Sequence, residues 1–429
     1  MSDQDLFDVV IVGGGAAGAS AAYQYGKAGL KVAVLEQLQN PSDYKKLCTH
    51  YLQPSVFSAI ERMGLKDKFL EAGATLTRWK VYGDWGWMKM RHTEGEPSGW
   101  GLSLRREIMD PMMRDLAAET GNVQLFSGHK VVDVIEENGQ VHSVITKTSD
   151  GNRTFTGRLI VGADGRYSAI ARAAKLEGKD GDNIHSIFFA YLENTDPPIV
   201  DTVPAWFALP EVATICPTDD GQIVAIYVNL TDNLETFSDD LEENFLAVFD
   251  RLEGAPNLRA SKFVGPVRTM VNMHNTTRVA VQKGIALIGD AAMAIDPLSA
   301  AGVGWAFRSA DLLTHLTTEA LVNKDPLEPA LKQYRKQHHK TFTMYQKMIC
   351  HGSKSRKANP IQTLYMRAGT LDQQCANHML SFIGQDISVF KLLAPSALFR
   401  ALWVCFKNRK QVTQREVFPP AEAVVATAE

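Results

Sequence analysis

Cysteine is scarce, and its spacing suggests no pairing. The 429-residue chain holds five, Cys48, Cys216, Cys350, Cys375 and Cys405. None stand in a Cys-x-x-Cys arrangement, and no Cys/His group has the spacing of a zinc site. That excludes a disulfide-stapled fold and points to reduced thiols in a cytoplasmic compartment. Long hydrophobic runs are missing as well. Nothing reaches the roughly 18 uncharged apolar residues that mark a membrane-spanning helix. The start, Met1-Ser2-Asp3-Gln4-Asp5, lacks the basic and apolar regions of a secretory signal. A large excess of one charge is also absent. Lys+Arg number 45 against 48 Asp+Glu, a net of −3, which argues against nucleic acid as a partner. The balance is uneven along the chain, however. Residues 321–410 hold 15 Lys/Arg and 4 Asp/Glu, a net of +11, and residues 1–320 carry −12.

The chain is longer than the roughly 250–300 residues at which one hydrophobic core stops growing, so at least two domains are expected. Residues 7–12 (FDVVIV), 31–36 (KVAVLE), 158–162 (RLIVG) and 284–289 (GIALIG) are short apolar runs of the kind that form buried parallel strands. Residues 16–29 predict a helix stopping at Gly29, and 54–63, 107–119 and 303–323 predict three more. Alternation over 130–147 around Asn138-Gly139 predicts a hairpin. Residues 186–280, rich in Val, Ile, Thr and Phe, read as a mainly antiparallel sheet.

Gly13-Gly14-Gly15-Ala16-Ala17-Gly18 is a Gly-x-Gly-x-x-Gly turn between a predicted strand and a predicted helix. Glu36 ends the next strand. That context makes it a dinucleotide-binding signature. Gly13 permits the tight turn, Gly15 lets backbone approach a pyrophosphate, and Gly18 lets helix pack on strand. The N–H groups opening the helix, at Ala16 and Ala17, then face the phosphates, and Glu36 accepts hydrogen bonds from the adenosine ribose.

Two later segments, 160–172 (IVGADGRYSAIAR) and 286–304 (ALIGDAAMAIDPLSAAGVG), choose the dinucleotide. With the first motif they resemble, in order and over roughly residues 7–315, the FAD-dependent group of p-hydroxybenzoate hydroxylase-like monooxygenases, geranylgeranyl reductases and flavin-dependent halogenases. The resemblance implies an α/β fold: a Rossmann-like FAD-binding domain interleaved with an antiparallel β-sheet substrate domain, plus C-terminal helices. The implied FAD-binding pieces are 1–80, 101–185 and 281–325. Substrate-domain strands fall in 81–100, the antiparallel-sheet substrate domain in 186–280, a helical region in 326–410 and a flexible tail in 411–429.

By the same resemblance Asp290 bonds the ribityl chain. Pro297 and the backbone of Gly302, Val303 and Gly304 lie against the isoalloxazine, and Asp164 and Gly165 sit near the pyrophosphate. Arg105 or Arg106 reaches the flavin from a helix start. The group's aromatic signatures beside the flavin, Trp-x-Trp-x-Ile-Pro or Tyr-x-Trp-x-Phe-Pro, align with Val212–Pro217, where only the proline is present. Lys80 lies near the position of the halogenases' lysine. No catalytic side chain stands out. The candidates are Pro297 and His50, the latter as a proton relay or as a hydrogen-bonded structural histidine.

The implied reaction is hydroxylation or epoxidation of a small apolar or aromatic substrate. It uses O2 and NAD(P)H and proceeds through a flavin C4a-hydroperoxide. A reductase of an isoprenoid or other C=C bond, a halogenase and a non-catalytic flavin-binding module are the alternatives. Residues 391–410 (KLLAPSALFRALWVCFKNRK) join an apolar body to a basic cluster. They read either as a helix packed on its domain or as a peripheral membrane contact.

Overall fold

The strand Leu6–Val12 lies between two parallel neighbours, Gly151–Gly162 and Val32–Glu36. Its side chains alternate between two layers. Val9 and Ile11 face a helical layer, while Val10 and Val12 face the opposite side. Burial on both faces explains why the run is apolar throughout. The computed structural model describes residues 6–91, 99–271, 273–411 and 413–419. Residues 92–98 of the 81–100 segment, residue 412 and residues 420–429 of the tail lie outside them.

The first sheet runs Val281–Gln282, Ile285–Leu287, Gly151–Gly162, Leu6–Val12, Val32–Glu36, Val123–Ser127. Helices Ala16–Lys27, Arg106–Ala118 and Gly302–Val322 cover one face. Over the other lies the hairpin Lys130–Glu137/Gln140–Thr148. Asn138 and Gly139 at its tip both have positive φ (51° and 76°), the conformation a two-residue type I′ turn requires.

The second sheet is mixed rather than purely antiparallel. Its order is Lys262–Phe263, His185–Glu193, Ile223–Leu230, Glu211–Pro217, Thr202–Ala208, Thr75–Gly83, Gly101–Ser103, Tyr51–Leu52. Thr202–Ala208 and Thr75–Gly83 run parallel, and the other pairings along this path are antiparallel. The sheet therefore collects strands from segments 1–80 and 101–185 as well as from 186–280.

Along His185–Glu193, Phe188 packs outward with Trp206, Tyr227 and helix Leu241–Asp250. Ile187 and Phe189 face inward toward helices Pro360–Leu371 and Gln373–Ile383. Helix Glu328–Gly352 ties this helical layer to the first sheet, where Tyr334 donates to Leu287 O at 2.8 Å.

The expectation of a flexible tail is corrected for residues 413–419. Val417 is buried against the outer core, Arg415 N donates to Asp84 O, and Arg251 donates to Pro419 O at 2.6 Å. The apolar pair Val417-Phe418 supplies the burial that holds this stretch down.

Candidate active site

The glycine turn is built by close approach. Gly13 has φ +101°, and a Cβ there would stand 2.6 Å from Ala163 O. A Cβ at Gly18 would meet Gly13 O at 1.9 Å. A Cβ at Gly15 would meet only open space, and no side chain caps the helix that starts at Ala16. The first-turn N–H groups of Ala16 and Ala17 are therefore presented to that space.

Glu36 closes the turn from the next strand. Its Oε2 accepts the Gly14 N–H at 2.7 Å and its Oε1 the Leu38 N–H at 3.0 Å. Arg114 supports the same turn by donating to Gly14 O at 3.1 Å and to Pro41 O at 2.9 Å. Sequence reasoning missed Arg114, although a signal existed. Arg106, Asp110 and Arg114 recur every four residues, and all are buried on one helix stripe.

Asp164 turns inward after Gly151–Gly162. Its Oδ2 accepts the Ala169 and Ile170 N–H groups at 2.6 and 3.1 Å. Its Oδ1 is buried with no partner among the described residues, and burial raises its pKa. Gly165 beside it has φ +78° and open space where a side chain would be.

Asp290 lies in the turn Gly289–Ala291 with Lys45 Nζ 3.4 Å away. Gly302 opens the helix Gly302–Val322 beside it, with its Cβ direction 3.6 Å from Asp290 Oδ1. No side chain caps this helix either, so the N–H groups at Gly302, Val303 and Gly304 are left without a capping partner. Pro297 begins the turn Pro297–Ser299 that leads into it.

Asp296 holds that turn from below. It accepts the Leu298 N–H at 2.8 Å and bonds His185 Nδ1 at 3.0 Å, with both residues fully buried. Asn275 Oδ1 accepts the Asp296 N–H at 2.8 Å, and Gln53 donates to Ser299 O at 2.7 Å. Gln53, His185 and Asn275 were not singled out, because nothing local marks residues brought in from separate strands and loops.

Arg105 and Arg106 diverge. Arg105 turns toward the second sheet, where Asp219 and Gln222 take its guanidinium. Arg106 turns inward, paired with Asp110 at 2.6 and 2.9 Å, with Cys48 Sγ 3.9 Å from its Nη1. Lys45 N donates to the same Asp110 carboxylate, so Asp110, Lys45 and Asp290 form a chain of polar contacts. His50, at φ 56°, accepts the Arg106 N–H at its Nδ1 (2.9 Å). Its Nε2 lies 3.3 Å from the Tyr191 hydroxyl. Burial and the Arg106 charge lower its pKa to about 3. His50 is thus a neutral imidazole with both nitrogens engaged.

A cavity of about 220 Å³ opens beside the Pro297–Ser299 turn. Trp79, Val81, Ile187, Phe189, Ile226 and Val228 form its sheet wall, and Met348, Met366, Met379 and Phe382 its helical wall. Thr214 lines it, in the stretch aligned with the aromatic signatures. Phe189 and Phe207 reach the cavity, whereas Phe188, Trp87 and Trp206 pack on the outer face of the sheet. Lys80 sits outside the cavity lining, with its ammonium 3.9 Å from the Trp87 ring centre.

The open space at Gly15, the uncapped helix starts and the orphaned Asp164 Oδ1 fit a bound dinucleotide with its phosphates on the first helix. The fold and site define a dinucleotide-binding protein. The chain belongs to the FAD binding domain family, whose model matches residues 7–341.

Among curated proteins it is 29% identical over 178 residues to the uncharacterized aromatic compound monooxygenase YhjG of Bacillus subtilis (strain 168). That match covers 40% of this chain and 34% of the relative, so it spans about a third of that protein's length. It is 23% identical to a digeranylgeranylglycerophospholipid reductase of Thermoplasma acidophilum, over 77% of this chain and 83% of that one. Among solved structures, a flavoprotein/dehydrogenase from Cytophaga hutchinsonii superposes with a TM-score of 0.77 at 17% identity, covering 94% of this chain and all of that one. The protein is an FAD-dependent oxidoreductase.

Proposed function

We propose that this protein is an NAD(P)H-driven monooxygenase that places one oxygen atom of O2 on a small apolar or aromatic molecule and releases the other as water. The observation that carries this reading is the apolar cavity beside the Pro297–Ser299 turn. Its Asp296 carboxylate is committed to His185 and Leu298. Such a lining positions a substrate by shape and excludes water, which suits chemistry performed by the cofactor.

In this reading Gly13, Gly15 and the N–H groups of Ala16 to Gly18 hold the pyrophosphate, with Asp164 and Gly165 alongside, and Glu36 holds the adenosine ribose. Asp290 takes the ribityl hydroxyls. When bound, FAD would supply the redox chemistry that links NAD(P)H to O2. The uncapped N–H groups at Gly302, Val303 and Gly304 favour negative charge on the reduced ring. Pro297 fixes the turn against it. Arg106 carries positive charge on the flavin side, and the bonds of Arg105 to Asp219 hold the start of its helix. His50 orients the backbone at Arg106 rather than shuttling a proton.

The test is turnover with NADH and NADPH in aerated buffer against a panel of apolar aromatic compounds. Substrate-dependent O2 uptake and a product heavier by one oxygen are expected. The coverage of the archaeal reductase relative favours a second reading, reduction of an isoprenoid C=C bond. That reading requires anaerobic turnover giving a product heavier by two hydrogens. A halogenase requires halide-dependent product. FAD that neither NADH nor NADPH reduces identifies a non-catalytic module and overturns the proposal.

A further inference from the structure

The helix Pro395–Lys407 is apolar on both sides, but only one side is buried. Ala401 and Val404 pack into the inner core. On the opposite side Phe399, Leu402, Trp403 and Phe406 follow a spacing of three and four residues and are 69%, 57%, 55% and 61% exposed. Phe390, 76% exposed, and Leu393 extend the patch from the preceding short helix. A surface helix ordinarily carries polar residues on that face, and contiguous exposed apolar patches mark an interaction site.

Cations flank the patch. Lys391, Lys407, Arg409 and Lys410 are exposed, and among the described residues no carboxylate pairs with them. An apolar strip of large aromatics bordered by free lysines matches the headgroup layer of an anionic bilayer, where rings enter the acyl boundary and ammonium groups meet phosphate. At thirteen residues the helix is too short to cross the hydrocarbon core.

We propose that the outer face of Pro395–Lys407 is a monotopic docking surface for membranes containing anionic lipids. The face is mechanically joined to the cavity. The buried side of this helix packs on Pro360–Leu371, whose Met366 lines the cavity and whose Tyr365 donates to Leu392 O at 2.6 Å. Docking holds the cavity's helical wall at the bilayer surface, where apolar molecules are concentrated.

The test is sedimentation of the full chain with vesicles of phosphatidylcholine alone and of phosphatidylcholine mixed with phosphatidylglycerol. The anionic vesicles are expected to carry the protein down, less so at high salt. Phe399→Ser/Trp403→Ser/Phe406→Ser is expected to cut the bound fraction about tenfold or more while keeping its FAD. Lys391→Glu/Lys407→Glu/Lys410→Glu is expected to erase the preference for anionic vesicles. Brominated acyl chains are expected to quench fluorescence in the native chain more than in Trp403→Phe. This arm decides the matter should the serine variant lose its FAD. Equal quenching, or no vesicle association, overturns the proposal. A dimer in solution that the serine variant dissociates, without vesicle binding, reassigns the face to a second copy of the chain.

Discussion

Glu36 is a small residue-scale device with two duties. It ends a strand, and its carboxylate braces the Gly13–Gly18 turn through the Gly14 N–H. Glu36→Ala should weaken FAD binding about tenfold or more, the scale of a lost charged hydrogen bond at roughly 1.5–3 kcal/mol. Fluorescence titration of the apoprotein measures it. Asp386 makes a different residue-scale prediction. Burial raises its pKa to about 6, opposed by the Arg308 charge, and its Oδ2 has no partner among the described residues. The folded value lies above the unfolded value of about 3.9, so the native state binds the extra proton. The associated stability is complete below about pH 4 and is lost as pH rises through 6. Asp386→Asn should therefore raise the melting temperature at pH 8, by roughly 1–2 kcal/mol in stability terms. The gain should vanish near pH 4. An equal shift at both pH values would assign the effect to packing instead. Glu36 was legible in the sequence because it sits at a fixed place after a glycine turn. Asp386 was not, since its burial comes from elements distant in the chain.

In the proposed reading two elements carry the cofactor, and both are helix starts without side-chain caps. The first is bounded by sterics. Gly18→Ala puts a methyl group 1.9 Å from the Gly13 carbonyl, so backbone must move. The variant should purify without FAD and melt earlier than wild type, as followed by flavin absorbance and circular dichroism. The second start is bounded by charge. Asp290 stands between Lys45 and Gly302, where polyol hydroxyls would compete for its oxygens. Asp290→Ala should abolish tight FAD binding, and a variant purified with full flavin content would remove Asp290 from the cofactor site. The strand periods and the two glycine openings were readable because they depend on neighbouring residues. The divergence of Arg105 and Arg106 was not. It follows from Asp219 on one side and Asp110 on the other, and the first is far away in sequence.

At the scale of the whole molecule, the cavity exists only where the second sheet, the Pro297–Ser299 turn and the C-terminal helices meet. Ala205 lies on its sheet wall. Ala205→Phe should fill part of the space, raising KM or lowering kcat for the substrate while FAD content stays intact. Overpacking at such a site costs typically about 1–3 kcal/mol, so the fold should survive. Unchanged kinetics would mean that substrate binds elsewhere. This separates the proposed cofactor site, built from local motifs, from the proposed substrate site, built from tertiary contacts.

The amino-acid sequence by itself determined the cofactor half of this protein. Close backbone approach admits only glycine, strands covered on both faces demand apolar runs, and a strand-ending carboxylate stands a short, fixed distance beyond the turn. The Gly18–Gly13 contact and the apolar runs act over a few residues, and Glu36 reaches Gly14 across 22 positions. Tertiary structure alone decided the rest. It drew Tyr51–Leu52 and Gly101–Ser103 into the second sheet, brought His185 to Asp296 across 111 positions, and docked residues 413–419. It also turned one apolar side of Pro395–Lys407 outward. These outcomes depend on which surfaces meet, and a partner distant in the chain leaves no periodic trace beside the residue it pairs with.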